Sequence, residues 1–255
     1  MSSIERGSVN ISFEASGSGP VVLLSHGYGA TSRMWCGQVA ALSGGYRVIT
    51  WDMRGHGESD SPDAPALYSE TATVDDMLAI LDRAGADRAV VGGLSLGGYM
   101  SLAFCLAHPE RVHALMLFDT GPGYRSAEAR AGWNEMAERR AAALEAEGLA
   151  ALRSAGQEVR ASMHRSAVGL ARAARGMLAQ FDARVIDALP QIAVPVLILV
   201  GDRDQPFLAA TDYMAAKIPN ATKVVLEGAG HASNLDQPET FNAAVGEFLA
   251  RLGSW

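Results

Sequence analysis

The sequence predicts an α/β fold: a mostly parallel, doubly covered sheet with a helical insertion late in the chain. Three observations carry that expectation. Apolar runs of strand length alternate with segments of helical periodicity, the pattern of successive β-α units. Most of those runs are continuously apolar rather than alternating, as strands covered on both faces require. The rhythm breaks once, between Gly121-Pro122-Gly123 and Leu189-Pro190.

Strands are expected at residues 9–13, 21–25, 47–51, 89–94, 114–118, 196–201 and 222–226, and helices at 35–42, 74–84, 98–108, 208–218 and 239–251. In the second helix Thr73 and Asp76 stand at the spacing of a capping box, with Asp in place of the usual Glu or Gln. The stretch 121–190 is rich in Ala, Arg and Glu, and its Ala runs near 141–144 and 171–174 favour helix by propensity. The expected organisation is therefore a core of 1–120 and 191–255 with a helical insertion of 121–190.

At 255 residues the chain fits one large α/β domain. A content of 49% hydrophobic and 19% charged residues is that of a globular protein with a large core. No run of eighteen apolar residues occurs, so no membrane partner is expected. The start, Met1-Ser2-Ser3-Ile4-Glu5-Arg6, lacks the pattern of a secretory signal. Cys36 and Cys105 form no disulfide framework and read as buried free thiols of a cytoplasmic protein. A net charge of −7 argues against nucleic acid as a partner. Residues 121–190 nevertheless hold ten Arg against eight acids, a local balance of +2. Those arginines either solvate helix surfaces or bring one or two cations to a carboxylate on a ligand.

The chemistry is concentrated at strand ends. Gly93-Leu94-Ser95-Leu96-Gly97 joins an apolar run to a helical segment. Such a Gly-x-Ser-x-Gly turn is tight enough that only small residues fit beside the serine, whose hydroxyl is pushed outward. A serine hydroxyl needs a base, and the base needs an orienting carboxylate. Downstream, one apolar run ends in Gly201-Asp202-Arg203-Asp204 and another leads into Gly228-Ala229-Gly230-His231. The order Ser, Asp, His is the one expected with this turn. On the residues alone, Asp202 and Asp204 both remain candidates for the acid.

These motifs, with His26-Gly27-Tyr28-Gly29, Asp52-Met53-Arg54-Gly55-His56-Gly57-Glu58-Ser59 and Asp236-Gln237-Pro238, make the chain resemble an α/β-hydrolase-fold serine hydrolase of the esterase or enol-lactone hydrolase kind. The resemblance implies Ser95 as nucleophile, His231 as base and Asp204 as the carboxylate. It places the oxyanion hole at the backbone N–H groups of Tyr28 and Leu96, and a helical cap after the sixth strand. Asp202, His26, Arg54 and His56 then read as loop architecture. The implied substrate is a small-molecule ester or lactone, with no cofactor and no metal. A carbon–carbon hydrolase of vinylogous diketones and a non-catalytic small-ligand receptor are the alternatives. Epoxide hydrolases and haloalkane dehalogenases of this fold carry Asp where Ser95 stands. Trp133, Met136, Met163, Met177 and Phe181 are the cap side chains expected to line the pocket.

Overall fold

A computed structural model describes residues 2–253. Eight strands form one sheet: β1 (Ser2–Arg6), β2 (Val9–Ser16), β3 (Val21–Ser25), β4 (Arg47–Trp51), β5 (Ala89–Leu94), β6 (Val112–Phe118), β7 (Val196–Gly201) and β8 (Ala221–Leu226). Their spatial order is β1-β2-β4-β3-β5-β6-β7-β8. The first two join antiparallel, and β4 through β8 run parallel with β3. Among the described residues ten α-helices accompany them: α1 (Cys36–Leu42), α2 (Glu70–Arg83), α3 (Leu96–Ala107), α4 (Ala127–Glu147), α5 (Gln157–Arg160), α6 (Ala167–Ala173), α7 (Arg184–Ala188), α8 (Gln205–Lys217), α9 (Ser233–Asp236) and α10 (Pro238–Arg251).

The two faces of the sheet build separate cores, because strand side chains alternate sides. Leu23, Ile49, Val91, Leu115 and Leu117 pack beneath Met77 and Ile80 of α2 and Met100 and Phe104 of α3. Val22, Leu24, Val48, Val90 and Met116 face Leu42 of α1 and Phe241, Val245 and Leu249 of α10. On that side Trp35, Phe118 and Phe241 form a ring cluster, with centroids 4.7–6.4 Å apart.

Four details depart from the sequence expectations. β1 is an added edge strand of which only Ile4 is buried, too polar to read as a strand. α2 begins four residues early. Its cap is Ser69, whose Oγ accepts from Ala72 N at 3.0 Å. Thr73 instead donates to Ser69 O, and Asp76 is drawn away to accept two bonds from Arg54, at 2.6 and 2.8 Å. Cys36 is exposed at the start of α1 rather than buried; Cys105 is buried, and burial pushes its thiol up to about 11.

Between β6 and β7 the chain forms α4 to α7, with a π-helical turn at Ala174–Leu178. Small residues Ala137 and Ala141 of α4 let α6 approach closely through Ala171 and Ala173. Most of the arginines here meet acids. Arg175 spans Glu138 and Glu145, and Arg125 meets Asp187. Arg165, Arg172 and Arg184 reach Glu58, Asp63 and Glu70 outside the insertion. Among the described residues no helix is long and apolar enough to cross a membrane.

The Arg54–Asp76 pair is buried on both sides, so removing one partner strands a charge away from water. Asp76→Ala is expected to lower the unfolding free energy by about 3–5 kcal/mol in urea denaturation. A loss below about 1 kcal/mol would mean that water reaches Arg54 once Asp76 is gone.

Candidate active site

Ser95 sits between β5 and α3 with φ 55° and ψ −116°, a conformation few non-glycine residues adopt. Its neighbours explain the glycines. A Cβ on Gly93 would lie 2.5 Å from Ser25 O and from the Gly97 carbonyl carbon, and one on Gly97 would strike the same Ser25 carbonyl. The turn therefore fits only if β3, β5 and α3 meet backbone to backbone. Ser95 N–H donates to Phe118 O at 2.9 Å and Thr120 Oγ1 donates to Ser95 O at 2.6 Å, fixing the strained residue from both sides.

The loop after β3 lies against this turn. The Cβ position of Gly27 is 3.5 Å from Ser95 Cβ. Among the described residues, neither Tyr28 N–H nor Leu96 N–H donates to a protein acceptor. Two unsatisfied donors thus flank the serine, one of them at a helix start. Tyr28 is held from its far end, its hydroxyl donating to Leu170 O of α6 at 2.9 Å.

Neutral imidazoles brace the loop. His26 Nδ1–H donates to Gly27 O at 2.7 Å while Nε2 accepts from Met53 N–H at 3.0 Å. His164, from the insertion, donates to Gly29 O at 2.8 Å and accepts from Gly57 N–H at 3.1 Å. The ring of His56 lies between them, with centroids 4.9 and 5.8 Å away. Burial holds all three below the ordinary histidine value. Asp52 completes the turn by accepting from Ser32 N and Glu58 N.

His231 follows β8, and its Nδ1–H donates to Asp204 Oδ2 at 2.8 Å. Asp204 is buried, whereas His231 keeps about a third of its side chain open to the cavity. Phe207 stacks on the imidazole at 5.1 Å and 21°. Burial alone would lower the His231 pKa, but the hydrogen bond it donates to Asp204 and the charges of Asp204, Asp119 and Glu158 raise it above 6.5. Asp202 makes no such contact; it accepts from Gly228 N–H at 2.9 Å and pins the histidine loop.

Two cavities open at Ser95. One, about 250 Å³, is walled by Tyr99, Pro122, Tyr124, Trp133, Leu178, Ile186, Phe207 and Tyr213. The other, about 520 Å³, is reached by Tyr28, His231, Arg140, Leu144, Gln157, Glu158 and Val159. Of the five cap side chains expected to line a pocket, Trp133 does, its Nε1–H held by Leu178 O at 2.8 Å. The other four lie elsewhere. Met177 is sealed in the core, and Met136 packs against that core. Met163, 68% exposed, lines a separate surface hollow, and Phe181 is 72% exposed. An apolar side chain at helical spacing can face the core, the cavity or solvent, and the packing of the insertion decides which.

The sequence reading missed Asp119, at the end of β6. It also has positive φ, accepts from Gly201 N–H at 2.9 Å and from the Ser233 hydroxyl, and so ties β6 to the acid and histidine loops. Glu158 and Arg140 were missed too, having no motif around them.

Comparison with known proteins adds an independent line. A family model described as the alpha/beta hydrolase family matches residues 21–244. The chain is 32% identical to 3-oxoadipate enol-lactonase 1 of Acinetobacter baylyi, over 87% of this chain and 85% of that protein. It is 30% identical to the pimeloyl-[acyl-carrier protein] methyl ester esterase of Aeromonas hydrophila, over 94% and 100% of the two chains. A thermophilic esterase from Thermogutta terrifontis superposes with a TM-score of 0.84 at 31% identity, covering 96% of this chain and 95% of that one.

Burial pushes the Asp119 carboxyl up to about 7 from 3.8. The unfolded chain releases this proton first, so the group's contribution to stability falls as pH rises from about 4 to about 7 and is flat beyond. Urea midpoints at pH 5 and pH 8 should accordingly differ less in Asp119→Asn than in the unaltered protein. An equal difference in both would remove Asp119 as the source.

Proposed function

Because the chain belongs to the alpha/beta hydrolase family and is a hydrolase enzyme, we propose that it cleaves a small-molecule carboxylic ester or lactone through an acyl-enzyme formed on Ser95. The observation that carries this reading is the 2.8 Å Asp204–His231 bond, made on a cavity that also holds the strained Ser95. Relatives named as esterases and an enol-lactonase support the same class of bond.

His231, neutral and held in the Nδ1–H tautomer by Asp204, takes the Ser95 proton at Nε2 as the oxygen attacks the carbonyl. The negative charge that develops on the carbonyl oxygen meets the free N–H groups of Tyr28 and Leu96, each contributing about 3 kcal/mol to lowering the barrier. His231 then returns the proton to the departing oxygen. A water molecule repeats the sequence to release the acid. Helices of residues 121–190 cover Ser95 as a lid that keeps bulk water from the acyl-enzyme. No step in this sequence calls on a metal or cofactor.

Hydrolysis of nitrophenyl esters should fall by about a thousandfold or more in Ser95→Ala, with the far-ultraviolet circular dichroism unchanged. Asp204→Asn should cost far more than Asp202→Asn, and the reverse ranking would reassign the acid. Since His231 must be neutral to act, kcat/KM should rise with pH through an apparent pKa above 6.5. Loss of the Asp204 charge should move that midpoint downward. A midpoint that stays in place in Asp204→Asn would assign the titration to another group.

A further inference from the structure

The two cavities at Ser95 differ in kind, and the difference assigns the two halves of the substrate. Ser95 lines both, but His231 borders only the larger one. The departing oxygen must receive its proton from His231, so the alcohol half lies in the larger cavity and the acyl half in the smaller. The acyl side is walled by rings and aliphatic groups such as Tyr99, Trp133 and Phe207, and its 250 Å³ suits a short or single-ring apolar acyl group.

The larger cavity contains Glu158, which is only 9% exposed. Among the described residues its carboxylate meets no side-chain donor or cation and folds back over Gly156, where an added Cβ would lie 2.4 Å from either oxygen; its backbone carbonyl accepts from the Ser162 hydroxyl at 2.7 Å. A ligand cation in this cavity would meet a carboxylate that no protein side chain occupies. A few other charged groups border the same space. Arg140 is exposed and lies 5.9 Å over the Tyr28 ring, and Asp236 is occupied by Gly230 N–H. The arginines that gave residues 121–190 their positive balance are mostly engaged with acids on the surface. The buried charge at the wall is therefore negative, opposite to the sign that the local composition suggests.

We propose that Glu158 selects substrates whose alcohol half carries a cationic group, an ammonium on a short chain, and disfavours anionic ones. This rests on the serine-hydrolase reading and extends it to the substrate class: an ester of an amino alcohol with a compact apolar acid. The bound cation supplies the partner that the carboxylate lacks. Arg140, screened by solvent at the rim, opposes it only weakly.

The test uses the full chain and a pair of esters matched in shape, choline butyrate and 3,3-dimethylbutyl butyrate, which differ in the charge at one atom. The expected result is a kcat/KM ratio of at least about tenfold in favour of the cationic ester. In Glu158→Gln the ratio should fall to about one, and Glu158→Asp should keep part of it. The neutral ester serves as the internal standard in each variant, so a folding defect, which lowers both rates together, cannot mimic the result. A ratio near one in the unaltered protein, a ratio that survives Glu158→Gln, or faster turnover of a carboxylate-bearing ester would overturn the proposal and leave the Ser95 chemistry standing. Absence of any Ser95-dependent ester cleavage would instead overturn the serine-hydrolase reading beneath it.

Discussion

Everything at the site is referred to the place where β3, β5 and α3 touch through backbone alone. The Ser25 carbonyl occupies the space that a Cβ at Gly93 or Gly97 would need, so the strand, the turn and the helix close on one another without a side chain between them. That closeness forces Ser95 into positive φ and sets the Gly27–Tyr28 loop beside it. The strain persists because it is over-determined: the sheet on both sides, the Thr120 hydroxyl and the α3 ladder all hold the same residue. Parallel pairing on both sides of β5 carries this local geometry into the whole sheet.

Electrostatics divide in two around this point. Toward β3 and β4 the braces are neutral: two buried histidines, His26 and His56, and the half-buried His164, whose ring nitrogens are matched to a carbonyl on one side and, in His26 and His164, to an N–H on the other. Toward β6, β7 and β8 they are acidic, with Asp119, Asp202 and Asp204 each accepting from the neighbouring loop. The first arrangement braces the Tyr28 loop with imidazoles held below the ordinary histidine value. The second collects negative charge around His231 and raises its proton affinity. The proton affinity of His231 is therefore raised while that of the other three is lowered.

Much of this was legible in the chain. Seven of the eight strands could be read from the sequence, five of them (β3 to β7) because a strand buried on both faces has no choice but to be apolar. Ser95, His231 and the pair Asp202 and Asp204 were legible as residues at strand ends with glycines around them, since tight turns accept few residue types. Which of the two pairs with His231 was not decided by residue type, as Asp202 and Asp204 are both acids in one loop. Geometry distinguishes them: Asp204 at the start of α8 reaches His231, whereas Asp202 points back to Gly228.

Local sequence thus determined the α/β order of elements, the tight serine turn and the chemical types gathered at it, because each depends on a few neighbouring residues. Only the tertiary structure decided what surrounds them. Asp76 could have capped its own helix, yet a buried guanidinium from a distant turn claimed it. Met177 and Phe181 could both have faced the cavity, yet one was sealed in the core and the other left in solvent. Glu158 is a surface residue by composition, and the packing of the insertion against the Tyr28 loop turns it inward. Those outcomes depend on which distant segments compete for the same side chain, and no short stretch of sequence carries that information.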